Sequence, residues 1–210
     1  ILFGSPSWQD VSGEKRFYNS AYVLSPERVI TDKYDKVHLV PYGEYVPFKS
    51  IFPFIHRLVA GVGDFSPGRA VKNLCIPQGC FAAPICYEII FPDLVRRFVA
   101  RGADFIVNIT NDAWFGRTSA PAQHLSAAVL RAVENRRYVV RCANTGISAV
   151  IDPAGRIRQR SGLFTQEVLL DTIICRSDTS VYSLFGDVFP LGCCAASVAF
   201  LLAAYRKRSC

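Results

Sequence analysis

A chain of 210 residues, half of them hydrophobic, is long enough to bury one sizeable core. Its formal net charge of +7 favours anionic partners, and phospholipid headgroups fit better than nucleic acid because no nucleic-acid module or aromatic-basic ladder accompanies the arginines. Eight irregularly spaced cysteines do not make a disulfide scaffold, and three widely separated histidines argue against a metal site.

The chain opens at Ile1 and contains no methionine, so it is expected to be a piece of a longer protein. Residues 1–5 read as a core strand leading into a polar loop over 8–16, and residues 20–24 as a second strand. In Tyr34-Asp-Lys36-Val-His-Leu-Val-Pro-Tyr-Gly-Glu44-Tyr-Val-Pro47, an apolar strand over 37–41 lies between Lys36 and Glu44, and Pro41, Gly43 and Pro47 punctuate the loop. A lysine lowers the pKa of a nearby thiol and neutralises the oxyanion formed when a thiolate attacks a carbonyl. Taken singly, the two residues equally suit a surface lysine and a solvated glutamate. Residues 61–68, rich in glycine, read as an irregular loop and a candidate lid. Cys75 and Cys80 flank the loop 76–79 between two strands, and the sequence leaves open whether they pair.

Phe81-Ala-Ala-Pro-Ile-Cys86-Tyr-Glu-Ile-Ile-Phe-Pro-Asp93 is the most informative segment. It reads as a buried strand that delivers Cys86 into a sharp turn before a helix whose first turn holds Pro92 and Asp93. A thiol at that junction is aimed by a rigid element, where a nucleophile belongs, although most unpaired cysteines are inert packing. Residues 91–101 place Leu94, Val95, Phe98 and Val99 on one helical face, with Gly102 as the stop. A strand over 104–110 then delivers Asn111-Asp-Ala-Trp-Phe-Gly116 at its carboxyl end, either a plain turn or a pocket wall containing Asn111 and Trp114.

A helix over 123–137 is expected to bury Leu125, Val129, Ala132 and Val133, with Arg131 and Glu134 at helical spacing. Strands over 138–143 and 148–152 follow, the latter ending in the turn Asp152-Pro-Ala-Gly155. Arg156, Arg158 and Arg160 alternate along an exposed strand, and residues 167–174 read as another strand. Strand-helix-strand order argues an α/β sheet with helices packed on it. From 188 to 205 no residue is charged, and Arg206-Lys-Arg208 closes the run. That length is near the minimum for crossing a bilayer and also fits a buried terminal helix, while the basic end favours a span whose end is retained on the cytoplasmic side.

Four blocks together resemble the nitrilase superfamily and, within it, the apolipoprotein N-acyltransferases: the Lys36 to Pro47 segment, Cys86-Tyr-Glu88, Asn111 to Gly116, and Asn144-Thr-Gly-Ile-Ser-Ala149. The resemblance implies an N-terminally truncated α-β-β-α sandwich over residues 1–182, followed by a transmembrane helix over 183–210. It implies Cys86 as the acyl-accepting nucleophile, Lys36 as the triad lysine, Glu44 as a supporting glutamate, and Tyr87 with Glu88 as the pair after the nucleophile. The family's general-base glutamate lies in an upstream Trp-Pro-Glu type segment that the chain lacks, so the triad is incomplete and the chain alone is expected to be inactive. Further implications are a phospholipid acyl donor, an apolipoprotein acceptor, no cofactor, and a bacterial inner membrane location with the catalytic domain periplasmic. A soluble carbon-nitrogen hydrolase and a degenerate membrane-tethered interaction domain are the competing readings.

Overall fold

The structure is a computed structural model, and it describes residues 1–47 and 64–208. Strands β1 (Leu2–Val11), β2 (Glu14–Leu24) and β3 (Ile30–Asp35) form an antiparallel sheet in that order. Strands β4 (Leu74–Ile76), β5 (Gly79–Ala82), β6 (Phe105–Asn111), β7 (Val139–Asn144), β8 (Ala149–Ile151) and β9 (Ile157–Arg160) form a second sheet, also in chain order. The β5–β6 and β6–β7 pairs are parallel and the others antiparallel. Helices α1 (Pro92–Ala100) and α2 (Ala120–Asn135) make the two parallel crossovers and pack on this sheet. A short helix α3 (Val181–Phe185) precedes the long α4 (Val188–Arg208). This is the mixed α/β sandwich expected.

One core joins the layers. Ala21, Val23 and Tyr34 of the small sheet share it with Leu74, Phe81 and Ile106 of the large sheet and with Val95 and Phe98 of α1. On α1, the four residues expected inside, Leu94, Val95, Phe98 and Val99, are all buried, and Pro92 sits in the first turn, where its missing N–H costs nothing. Asp93 accepts from Arg96 and Arg97 on the outer face. Arg131 and Glu134 pair on α2 at 2.6 Å, and Asp152 caps its own turn by accepting from the N–H groups of Ala154 and Arg156.

Several elements differ from expectation. The polar segment 8–16 is a hairpin, closed by Ser12 and Gly13 at φ of 58° and 85°. Positive φ at both central residues matches the strand twist, and the Asp10 carboxylate accepts from the Gly13 N–H to hold the turn. Residues 30–35 form β3 despite their charges, because Lys33 pairs with Asp35 and Lys72 with Asp32. Residues 37–41 are not a strand: carboxylates of Glu88 and Glu44 take the N–H groups of Val37, His38 and Val40, so the segment runs as a loop without a ladder. Residues 167–174 are irregular. Side chains of β9 bind their carbonyls, Gln159 at Leu170 and Arg158 at Thr172, in place of a ladder, while Val168 and Leu170 stand open to solvent.

Of the candidate lid, residues 61–63 lie outside the described residues. The remainder is tied down, since the N–H groups of Phe65, Ser66 and Gly68 donate to the carbonyls of Glu44, Phe17 and Lys36. Gly68 is required there because a Cβ would overlap the Asp35 carbonyl. Cys75 and Cys80 are joined by a disulfide across the β4–β5 hairpin.

The α4 segment 188–206 is long and apolar enough to cross a membrane, and none of it is buried against the rest of the chain. Phe189, Phe200 and Leu201 are among its exposed side chains. A helix apolar all round and uncovered by protein is matched to lipid rather than to water.

The core makes a direct prediction. Phe98 is fully buried and meets Tyr34 edge-on at 5.3 Å between ring centroids. Phe98→Ala is expected to cost about 3–5 kcal/mol, read as a lowered denaturant midpoint in detergent solution. A loss under about 1 kcal/mol, the range of a surface change, would show that this contact is not central to the core.

Candidate active site

Strand β5 ends at Ala82, and Pro84 bars further ladder donation. Ile85 makes a single parallel bridge to Ile109, and Cys86 then opens a 3-10 turn over Cys86–Ile90 that leads into α1. Cys86 has φ of 51°, in the left-handed region that non-glycine residues adopt at a cost. Such a conformation persists only where its surroundings over-determine it. The thiol is free and partly exposed, as the turn between strand and helix was expected to leave it.

Glu88 supplies much of that determination. Its carboxylate is fully buried and accepts four hydrogen bonds, from Tyr34 Oη at 2.9 Å, Val37 N at 2.8 Å, His38 N at 3.0 Å and Ile85 N at 2.8 Å. Two of these donors flank Lys36 on its C-terminal side and one directly precedes Cys86, so a single carboxylate ties the lysine segment to the cysteine turn. Burial pushes the Glu88 carboxyl above its usual range, against the pull of its donors and of the Lys36 charge. Tyr34 is likewise raised, by burial and by the neighbouring Glu88 charge.

Lys36 is buried, not a surface lysine. Its ammonium lies 2.7 Å from Glu44 Oε2, and the backbone around it is pinned by Lys36 N donating to Asn19 O and Gly68 N donating to Lys36 O. Glu44 in turn accepts from Asn19 Nδ2 and Val40 N, each at 2.7 Å. A buried ammonium needs such compensation, and one removed from water acts strongly on any charge that develops beside it. A cleft of about 440 Å³ is lined by Val37, His38, Leu39, Tyr45, Phe65 and Pro67, which include the chain neighbours of Lys36 and Glu44. His38 at its wall is held below its ordinary pKa by burial and by the Lys36 charge, which favours a neutral ring.

Tyr87 is half-buried, with Phe91 against it edge-on at 5.0 Å and His38 at 6.3 Å between centroids. Asn111 is exposed and caps the 3-10 turn Asp112–Phe115, accepting from Ala113 N. Trp114 is 84% exposed and lines neither of the two clefts described for the chain, the other being near Gln9 and Lys33.

Asp112 is the inward member of that motif, and it belongs to a set of polar residues that sequence reasoning missed: Asn108, His124 and Arg141, all buried. Their signal was their register. His124, Ala128, Arg131, Ala132 and Asn135 follow helical spacing along the buried face of α2, whereas Val133, expected inside, is 45% exposed. Arg141 shares the inward parity of Val139 on β7.

Comparison with known proteins gives the family and the fold. The sequence model for carbon-nitrogen hydrolases matches residues 1–177. The chain is 46% identical over 208 residues to the apolipoprotein N-acyltransferase of Geobacter metallireducens, covering 99% of this chain and 40% of that protein. It is 38% identical over 200 residues to the apolipoprotein N-acyltransferase of Chlorobaculum tepidum, covering 91% of this chain and 38% of that protein. The chain thus spans well under half the length of these relatives. Among solved structures, Saccharomyces cerevisiae Nit3, a member of branch 10 of the nitrilase superfamily, superposes with a TM-score of 0.55 at 25% identity, over 72% of this chain and 51% of that one. An amidase from Nesterenkonia sp. AN1 shares the fold at TM-score 0.55 and 23% identity, over 77% of this chain and 58% of its own.

Glu88→Gln tests the tie. One amide oxygen cannot replace two carboxylate oxygens facing four donors, and the new NH₂ group must point at an N–H or O–H. Each donor left unsatisfied costs roughly 1–3 kcal/mol, so the variant is expected to lose stability by that order in denaturant unfolding, and Cys86 alkylation by iodoacetamide should slow. Unchanged stability would remove Glu88 from its organising position.

Proposed function

Because the chain belongs to the carbon-nitrogen hydrolase family, we propose that it provides the acyl-transferring centre of an apolipoprotein N-acyltransferase in a bacterial inner membrane. The observation that carries the reading is Glu88 holding the buried Lys36–Glu44 pair against the strained Cys86 turn, in a chain that ends in an unburied, membrane-length helix.

The Cys86 thiolate attacks the ester carbonyl of a phospholipid acyl chain, forming a C–S bond and a tetrahedral oxyanion that the Lys36 ammonium neutralises. Collapse breaks the ester C–O bond. The lysophospholipid leaves with a proton, and the acyl group remains on Cys86 as a thioester. The α-amine of an apolipoprotein's N-terminal, diacylglyceryl-modified cysteine then attacks the thioester carbonyl, giving the amide and regenerating the Cys86 thiol. The largely apolar cleft lined by Val37, Leu39, Phe65 and Pro67 supports a donor with an alkyl chain.

A carboxylate must carry the protons. Glu44 is committed to Lys36, Asn19 and Val40, and Glu88 to its four donors, so both support the site and neither is the base. By resemblance the base is a glutamate of a Trp-Pro-Glu type segment outside residues 1–210. The catalytic part, residues 1–182, faces the periplasm and the segment 183–210 crosses the membrane, because the basic cluster after the span stays cytoplasmic. The Cys75–Cys80 disulfide supports that side, since such bonds persist in oxidising compartments. A soluble carbon-nitrogen hydrolase would use the same cysteine and lysine, but the uncovered α4 favours the membrane enzyme.

The test uses the full-length protein with phospholipid vesicles. Intact-mass analysis should find a hydroxylamine-labile acyl group on Cys86, absent in Cys86→Ala. Lys36→Met, which keeps the stem and removes the charge, should slow its formation by roughly 10²- to 10³-fold, the range for losing one oxyanion donor. Acylation at Cys142 or Cys175 instead, or a normal rate in Lys36→Met, would overturn the assignment.

A further inference from the structure

The carbonyl of Cys86 meets a buried polar cluster that the acyl-transfer chemistry does not use. His124 Nε2 is 3.1 Å from the Cys86 carbonyl oxygen. A carbonyl only accepts, so this nitrogen carries the hydrogen and donates. Asn108 Nδ2 donates to Pro84 O at 2.9 Å and more distantly to Cys86 O at 3.4 Å. The cysteine's carbonyl therefore has two buried donors, with the histidine the closer.

The imidazole is itself held on every edge. Its Nδ1 lies 3.1 Å from both Asp112 Oδ1 and Arg141 Nη2, and Phe115 packs edge-on against the ring at 6.0 Å. Arg141 donates from Nη2 to Asp112 Oδ2 at 2.6 Å, from Nη1 to Asn108 Oδ1 and from Nε to Ile147 O, so its whole guanidinium is engaged. Thr110 adds a donor to Asp112 Oδ1 at 2.8 Å. Burial pushes the Asp112 carboxyl up, but its contacts with His124 and Thr110 and the Arg141 charge outweigh it and leave it below the usual range. Gly146 completes the enclosure, because a Cβ there would overlap the Asp112 carboxylate.

An ion pair with both side chains fully buried is a poor source of stability compared with apolar packing of the same volume. It does serve to fix a geometry. The geometry fixed here is one ring nitrogen aimed at the carbonyl of a residue whose φ is positive. Rotation about the N–Cα bond of Cys86, the angle that is strained here, carries its carbonyl carbon and its side chain together, so a bond to the carbonyl restrains the thiol.

We propose that His124, clamped by Asp112 and Arg141, is a positioning residue that holds the Cys86 turn in its strained conformation through the hydrogen bond from Nε2 to the Cys86 carbonyl. The proposal rests on Cys86 being the nucleophile of the reading above. It adds a contact at the Cys86 carbonyl to the one that Glu88 makes at the Ile85 N–H.

Two amides separate the two edges of the ring. In His124→Asn the shorter amide stays near Asp112 and Arg141 but does not reach Cys86, whereas in His124→Gln the longer amide places an N–H donor near the position of Nε2. His124→Asn should lower the rate constant for Cys86 thioester formation by roughly 10²-fold, the cost of misplacing a reacting group by about an ångström, while the KM for phospholipid stays unchanged. His124→Gln should keep most of the wild-type rate. Equal rates in wild type and His124→Asn, or an equal loss in both variants, would overturn the proposal, since the first leaves the bond without effect and the second makes the ring's role purely structural. Cys86 alkylation by iodoacetamide, which needs no acyl donor, is followed in the same proteins. If wild type forms no thioester, the transfer reading falls, and the same ordering of alkylation rates, or its absence, decides the positioning claim alone.

Discussion

A single buried carboxylate organises the face of this chain that carries Lys36 and Cys86. Glu88 is three residues from Ile85, whose N–H it accepts, and fifty or more from Tyr34, Val37 and His38, whose groups it also accepts. The local contact shapes the turn that carries Cys86. The distant ones bring in the loop that carries Lys36, from the far end of a different sheet. Without that carboxylate, the N–H groups of Val37 and His38 would have no partner in the core, and a segment with Pro41 in it could not recover them through a β ladder.

The same logic explains why so many charges sit inside a small protein. Lys36, Glu88, Asp112 and Arg141 are all nearly inaccessible to water, and each is matched by opposite charge or by a full set of hydrogen-bond partners. Apolar residues would hold the layers together more cheaply. What the polar set provides is direction: carboxylates and guanidinium groups accept or donate along fixed lines, and those lines converge on the backbone either side of Cys86 from Glu88 and from His124. The apolar core of both sheets and α1 forms the rigid body against which this is done.

Legibility in the sequence divides along the same boundary. The apolar stripe of α1 and the strand-helix-strand unit follow from periodicity, because burial alone decides them, and the uncovered terminal helix follows from the length of its uncharged run. The turn at Cys86 was readable from Pro92 and the apolar run before it. The loop at 37–41 was misread as a strand because its apolar residues fit one, while the carboxylates that capture its N–H groups come from Glu44, four residues beyond Val40, and Glu88 in another segment. In the hairpin at 8–16, the closing pair Ser12 and Gly13 lacks the usual asparagine or aspartate and was hidden among polar neighbours. His124 and Arg141 were passed over for a different reason: each occupies an inward position in an otherwise apolar pattern, and such an interruption is itself evidence of a buried partner.

The most direct test of the proposed transfer is a structure of the full-length protein after reaction with phospholipid, with any acyl group on Cys86 in place. If Glu88 does unite the lysine segment and the cysteine turn into one site, Lys36 Nζ should lie within hydrogen-bonding distance, about 2.7–3.2 Å, of the thioester carbonyl oxygen, with Glu88 still accepting from Val37, His38 and Ile85. An acyl carbonyl pointing away from Lys36, with those Glu88 bonds intact, would contradict the account.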